Sequence, residues 1–184
     1  MKKNNIYFLT TCALMAALMC IFGPMSVPIG PIPISLTNLI LYFAIFILGT
    51  KGTTVSFLVY LLLGAAGLPV FSGYSGGLGK LAGPTGGYLV GFIPMVIIMG
   101  IIINLSKKNP VISVVGMMAG TLLAYLLGTA WFVFQSQSEW GYALSVCVFP
   151  FIPFDIAKMI IATILGKAVR KALLKASILP DEEK

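Results

Sequence analysis

Phe149-Pro150-Phe151-Ile152-Pro153-Phe154-Asp155-Ile156-Ala157-Lys158 sets one carboxylate and one ammonium three residues apart in an otherwise apolar run. The chain carries five acidic residues. Asp181, Glu182 and Glu183 lie in a terminal tail and Glu139 in a polar Gln/Ser-rich stretch, so Asp155 is the acid with apolar residues on both sides. A charged side chain at the centre of a helix in hydrocarbon costs about 2.5–3.5 kcal/mol on the insertion scale. Lys158 is the nearest group able to offset that cost, because positions i and i+3 share a helical face. Two readings follow. One is a structural ion pair pinning two helices; the other is a polar ligand site near one membrane face, to which intramembrane ionisable residues point by default. On the second, an incoming solute is expected to complete the hydrogen bonding of the acid.

The rest of the composition makes the apolar surroundings a membrane. Of 184 residues, 59% are hydrophobic and 9% charged, with a mean hydropathy of +1.03; ordinary soluble domains carry about 25% charged residues. The expected fold class is all-α integral membrane, with residues 1–184 forming a single domain. The net charge of +7 is scattered through loops rather than drawn into a stripe. It therefore reads as a topology signal and not as a nucleic-acid footprint. Cys12, Cys20 and Cys147 stand alone in apolar runs, and the chain has no His, so neither a zinc nor a redox site is expected. A membrane enzyme lacks a nucleophile–base pair here.

Six spans are expected. An apolar run from Ile6 to Phe22 follows Lys2-Lys3; it is too long for a signal-peptide core and lacks a small-residue cleavage site, so it reads as a retained first helix. Gly23 to Pro33 contains four prolines, which excludes helix and predicts an extended segment. The second span runs from about Ile34 to Leu48 and the third from about Thr53 to Ala66, both shorter than the roughly 20 residues of a straight crossing. Gly67 to Gly87 reads as a glycine-rich loop. The fourth span covers Tyr88 to Leu105, the fifth Val111 to Phe134, and the sixth the Pro150–Pro153 region to Leu174, with Gln135 to Gly141 as a connecting loop. Alternating the loops puts Lys2, Lys3, Lys51, Lys107, Lys108, Lys167, Arg170, Lys171, Lys175 and Lys184 on one side. The other side receives Lys80, with Lys158 inside a helix. The positive-inside rule makes both termini cytoplasmic. The proline segment, the glycine loop and the start of the sixth helix then gather on the outside, where a solute arrives.

The glycine loop is not a nucleotide site. Gly73 stands one residue too far from Gly79-Lys80 for a phosphate loop, and Leu81 replaces the hydroxyl that would hold magnesium. Gly77-Leu78-Gly79 lacks the preceding strand of a dinucleotide fold. A flexible lid closing over a ligand with Lys80 fits better, against the plainer reading of a loose outer loop. Small residues recur every four positions at Ala13/Ala17, at Gly83/Gly87/Gly91 and at Gly116/Gly120/Ala124/Gly128, spacing that lets helices approach closely. For Ala13/Ala17 a docking surface for another membrane protein is the alternative to internal packing. Thr37 and Asn38 open the second span, where an amide needs a partner. Tyr42, Tyr74, Tyr88, Trp131 and Trp140 read as interfacial aromatics or as walls of a ligand pocket.

Three segments now carry a resemblance. Pro31-Ile32-Pro33-Ile34-Ser35-Leu36-Thr37, the run Gly76 to Phe92 with its Gly83-Pro84-Thr85-Gly86-Gly87-Tyr88 centre, and Phe151 to Lys158 together resemble the signature segments of the BioY family. Those proteins are the biotin-capturing membrane subunits (S components) of energy-coupling factor (ECF) transporters. The resemblance spans essentially the whole chain, with Thr37-Asn38 standing where the first segment usually carries a glutamine. It implies a six-helix binding subunit in a prokaryotic plasma membrane, with biotin as its ligand and no cofactor. It also implies docking on a transmembrane coupling (T) subunit driven by two ATPase subunits, and Ala13 and Ala17 match the family's Ala-x-x-x-Ala docking pattern. On this resemblance Asp155 accepts the two ureido N–H groups in charge-assisted bonds. Lys158 supports Asp155 or reaches the ligand carboxylate, which Lys80 would otherwise meet from the lid. Asn38, beside Thr37, donates to the ureido oxygen, and Tyr74, Tyr88 and the loop around Gly77 enclose the ring and tail. From the residues alone, the competing reading is a stand-alone proton- or ion-coupled carrier using Asp155/Lys158. The repeated halves with paired broken helices expected of such a carrier are not apparent.

Overall fold

The structure, a computed structural model, describes residues 3–106 and 109–176. Lys2, Lys107, Lys108, Lys184 and the acids Asp181, Glu182 and Glu183, all used in the charge reading above, lie outside the described residues. In chain order the elements are α1 (Lys3–Phe22), β1 (Ser26–Val27), β2 (Ile34–Ser35), α2 (Thr37–Ala65), α3 (Leu78–Ala82), α4 (Gly86–Leu105), α5 (Pro110–Ser136), α6 (Trp140–Cys147) and α7 (Ile152–Lys175).

The helices α1, α2, α4 and α5 are largely apolar on all sides, and so is the first two-thirds of α7 apart from Asp155 and Lys158. In α1, Cys12, Met15, Ala16 and Met19 form one buried stripe, while Ile6, Leu9, Leu14 and Ile21 on the other faces are exposed. A helix apolar all round belongs either in a core or in a membrane. Here the outward faces have no protein against them, so lipid is their solvent. By length and composition three helices can cross a membrane, Thr37–Ala65, Gly86–Leu105 and Pro110–Ser136. The pair Trp140–Cys147 and Ile152–Lys175, bent by 41°, passes as a fourth span, and Ile6–Phe22 is a shorter apolar helix.

The proline segment is extended, as its sequence requires, and it is also paired. Ser26 faces Ser35 and Val27 faces Ile34 in an antiparallel hairpin, with Gly30 at φ +87° between the strands. The second span accordingly starts at Thr37 rather than Ile34, because Ile34 and Ser35 belong to β2. The second and third spans adjoin without a loop. Within α2, Gly49 takes φ 66°, ψ −173°, a conformation closed to residues with a Cβ. Tyr60 comes within interaction range of Thr37; a straight helix would hold them about 34 Å apart. The chain therefore reverses at Gly49.

The second half of α2 runs antiparallel to α4. Asn104 Nδ2 donates to Thr50 Oγ1 at 3.1 Å, and the rings of Phe57 and Phe92 meet at 6.0 Å. The first half runs alongside α7 in the same direction, with Asn38 against Asp155 at the start and Arg170 Nη1 donating to Phe46 O at 3.0 Å further along. The small-residue rows pack α4 on α5: Gly91 faces the backbone of Ala124, and a Cβ on Gly120 would lie 2.7 Å from Met95 O.

Two departures from the sequence reading matter for the site. The glycine loop contains a short helix, α3, and a further helix, α6, starts at Trp140 inside the expected Gln135–Gly141 loop and runs on to Cys147 through residues given no element in the sequence reading. A small cluster of Ile32, Ile34, Phe132, Ala143, Cys147 and Phe151 seats the hairpin on the end of α5, on α6 and on the turn before α7. Without α6 the hairpin would have no floor.

Candidate functional site

Asp155 lies in the first turn of α7, 3% exposed. Pro153 in that turn has no N–H to leave unsatisfied and presets the helical φ. An acid in a first turn is favoured by the helix macrodipole. Its Oδ1 accepts from Asn38 Nδ2 at 2.8 Å and from Lys158 Nζ at 3.0 Å, and its Oδ2 accepts from Tyr125 OH at 2.7 Å. Three donors of the protein meet this acid, which makes the ion pair part of the packing of α2, α5 and α7, and the carboxylate keeps acceptor capacity beyond them.

Lys158, 7% exposed, also donates to Ser35 O and to Asn38 Oδ1, both at 2.9 Å. An ammonium has three N–H groups, so all three are in use. The amide of Asn38 is orientated by its neighbours, since a flip would set its oxygen against the carboxylate and its NH2 against the ammonium. Further polar pairs adjoin it: Tyr42 OH and Thr121 Oγ1 are 2.5 Å apart, and Tyr88 OH pairs with Thr129 Oγ1 at 2.8 Å and donates to Cys147 O at 3.2 Å.

Beside this network opens a cleft of about 590 Å³, counted to its mouth. Asn38, Tyr125, Asp155 and Lys158 give its polar wall; Ile32, Pro33, Leu89, Phe92, Ala124 and Phe151 are mainly apolar, and Ser35, Ser72, Thr85, Tyr88 and Thr121 complete it. Small-molecule sites share this mixture of an apolar wall and a few convergent polar groups.

Of the residues expected at the site, the structure brings Asp155, Lys158, Asn38 and Tyr88 to the cleft. Thr37 is buried next to Asn38, its Oγ1 accepting from Ser35 Oγ at 3.3 Å, but it does not line the cleft. Lys80, Tyr74 and Gly77 are not brought there either. Trp131 Nε1 donates to Gly83 O at 3.0 Å and Gln135 Nε2 to Ala82 O at 2.9 Å, holding the end of α3 on the tip of α5. Tyr74 points outward, 69% exposed, in the Phe71–Ser75 turn. Gly77 N–H is engaged with Gly64 O at 2.7 Å. The loop instead contributes Ser72 and Thr85. Tyr125 was not among the expected residues; its signal was a phenol in mid-span, where a hydroxyl demands a partner. Ala13 and Ala17 lie exposed on α1, opposite its buried stripe. Among the described residues no group of His, Cys, Asp and Glu could hold a metal ion.

An apolar helical bundle with a buried ion pair on the wall of a cleft has the architecture of a membrane-embedded small-molecule binder. Comparison with known proteins narrows the class. The BioY family model matches residues 1–175, and the chain belongs to that family. It is 35% identical over 173 residues to "Biotin transporter BioY2" of Lactococcus lactis, covering 94% of this chain and 95% of that one. It is 33% identical to "Biotin transporter BioY" of Thermotoga maritima, covering 89% and 95% of the two chains. A crystal structure of the S-component for biotin from an ECF-type ABC transporter superposes with a TM-score of 0.85 at 30% identity, covering 93% of this chain and 94% of that one. The chain is a multi-pass protein of the prokaryotic plasma membrane and belongs to a family of transporter subunits, not enzymes.

Proposed function

We propose that this chain captures biotin at the outer face of the membrane as the S component of an ECF-type importer. It then docks on a transmembrane coupling subunit powered by two ATPase subunits. The observation that carries the reading is the Asp155–Asn38–Lys158–Tyr125 network on the cleft wall, in a chain related throughout its length to biotin transporters. The ureido group of biotin offers two N–H donors and a strong acceptor. Asp155 Oδ2 takes one protein donor and keeps a lone pair for the ligand, and Asn38 Nδ2, which also comes within reach of the Tyr42 hydroxyl, donates its second N–H to the ureido oxygen when biotin binds. The apolar wall suits the bicyclic ring. Lys158, with its donors committed, acts by holding Asp155 and Asn38 in place.

The same reading gives six spans in a single domain, with both termini cytoplasmic. The reversal at Gly49 divides α2 into two crossings, and α6–α7 supplies one bent crossing. The parallel run of α7 with the first half of α2 and the antiparallel run of α4 with the second half agree with alternation. Lys51 follows the reversal, and Lys167, Arg170, Lys171 and Lys175 lie at the far end of α7 from Asp155, so described basic charge gathers at the end opposite the cleft. Exposed Ala13 and Ala17 support α1 as the docking face.

The test is direct binding of labelled biotin to the purified full chain, beside Asp155→Asn. Wild type is expected to bind and the variant to lose at least about ten-fold in affinity, as for a lost charge-assisted bond, while still inserting in membranes. Equal binding by the variant overturns the role of Asp155. Vesicle uptake by the chain alone, undiminished without a coupling complex, would favour the stand-alone carrier.

A further inference from the structure

The last turns of α7 carry charge that the cleft does not use. Asp155, Lys158, Met159, Ala162, Thr163 and Gly166 form the buried face of that helix, and Arg170 Nη1 reaches across to Phe46 O at 3.0 Å. The opposite face is built differently. Ile160 and Ile164 are 49% and 63% exposed, and at 3.6 residues per turn positions 160, 164, 167, 171 and 175 fall within an arc of about 80°. The stripe that lipid tails cover therefore runs straight on into Lys167, Lys171 and Lys175. Lys171 and Lys175 are exposed and Lys167 is half-buried. Among the described residues none of the three has a hydrogen-bond or acid partner. The described acids are Asp155, which pairs with Lys158, and Glu139, the N-cap of α6.

Counted from Ile152, the three lysines stand about 22, 28 and 34 Å along the helix, against a hydrocarbon layer of about 30 Å. They bracket the level at which tails give way to headgroups, and a snorkelling stem brings the ammonium of Lys167 there as well. A topology signal asks only for cations at one end of the bundle, on any face. Here they stand a turn apart on the face that meets lipid, where a protein partner would first have to displace lipid and a headgroup is already in place. We propose that Lys167, Lys171 and Lys175 bind the phosphodiester headgroups of anionic phospholipids bordering the bundle. An ammonium, a compact charge with three donors, suits the non-bridging oxygens of a phosphodiester. The face is remote from the cleft and independent of what the cleft holds.

The test reconstitutes the full chain in nanodiscs of equal parts phosphatidylglycerol and phosphatidylcholine, extracts it into mild detergent and counts the retained lipids by mass spectrometry. One ammonium near an anionic surface is worth roughly five-fold in affinity. Wild type is expected to favour phosphatidylglycerol by about five-fold or more, and the preference should shrink as salt is raised. Lys167→Gln, Lys171→Gln and Lys175→Gln together should bring it within about two-fold of parity, while the three arginine replacements keep it. If the triple glutamine variant does not fold, Lys171→Gln alone should lower the preference by about two-fold or more. No preference in wild type, or one that the glutamine variants keep, overturns the proposal. A preference that appears only when Asp181, Glu182 and Glu183 are neutralised to Asn and Gln assigns the lysines to the acidic tail and overturns it too. Coupled uptake lost in the triple glutamine variant with lipid preference intact assigns the face to a protein partner instead.

Discussion

At the scale of single residues, the structural role of Asp155 and the ligand-binding role proposed for it are separated by different measurements. A buried charge left without its partner destabilises by about 3–5 kcal/mol, whereas replacing both partners by neutral groups is often nearly neutral. Lys158→Met alone is therefore expected to lower the melting temperature of the detergent-solubilised protein strongly. Adding Asp155→Asn to it should restore much of that loss without restoring biotin binding, as thermal unfolding and ligand titration on the same samples would show. Tyr125→Phe removes one donor from Oδ2. It should weaken binding by about three- to ten-fold, in line with the net worth of one hydrogen bond, and affinity above wild type would contradict the arrangement. Asp155, Lys158 and Asn38 were legible in the sequence because a charge or amide among apolar residues must be matched. Tyr125 and Thr85 were not. Which polar group on α5 or α4 meets the acid or the cleft depends on how each helix is rotated about its axis, and tertiary packing sets that rotation.

At the scale of elements, the apolar runs gave the long helices to within a few residues, because in lipid the backbone must bond within its own segment. The connections were harder to read. The strand pairing of the proline segment depends on a seat supplied by α5, α6 and the turn before α7, far away in sequence. The α6 helix is short, apolar and without a capping bond from its N-cap residue, Glu139, so nothing local marked it off from loop. Gly49 is the position where one backbone conformation decides the connection. Gly49→Ala should cost about 1–3 kcal/mol, the penalty for a Cβ in a backbone region open essentially to glycine alone, seen as a lowered melting temperature with affinity retained. On α5, Gly120→Val is expected to cost about 1–3 kcal/mol through overpacking against Met95, and unchanged stability would argue against the α4–α5 contact described here.

At the scale of the whole molecule, the cleft and the basic residues of α7 lie at opposite ends of the bundle. Asp155 and Arg170 are separated along that helix by about 22 Å of rise. On the proposed reading cargo enters at the cleft end, and α1 offers its small, exposed residues along the flank. Replacing Ala13 and Ala17 together by leucine is expected to abolish coupled uptake in cells carrying the coupling and ATPase subunits. Biotin binding to the isolated chain should stay within about two-fold, so a parallel loss of binding would mean the pair is needed for the fold instead. Lys158 has a further bearing on the whole assembly. Its ammonium reaches acceptors on β2, α2 and α7 at once, as a tetrahedral tripod can and a flat guanidinium fork cannot. Arginine at this position would conserve the charge and still unfasten at least one leg, so the site depends on the shape of its cation as much as on its sign.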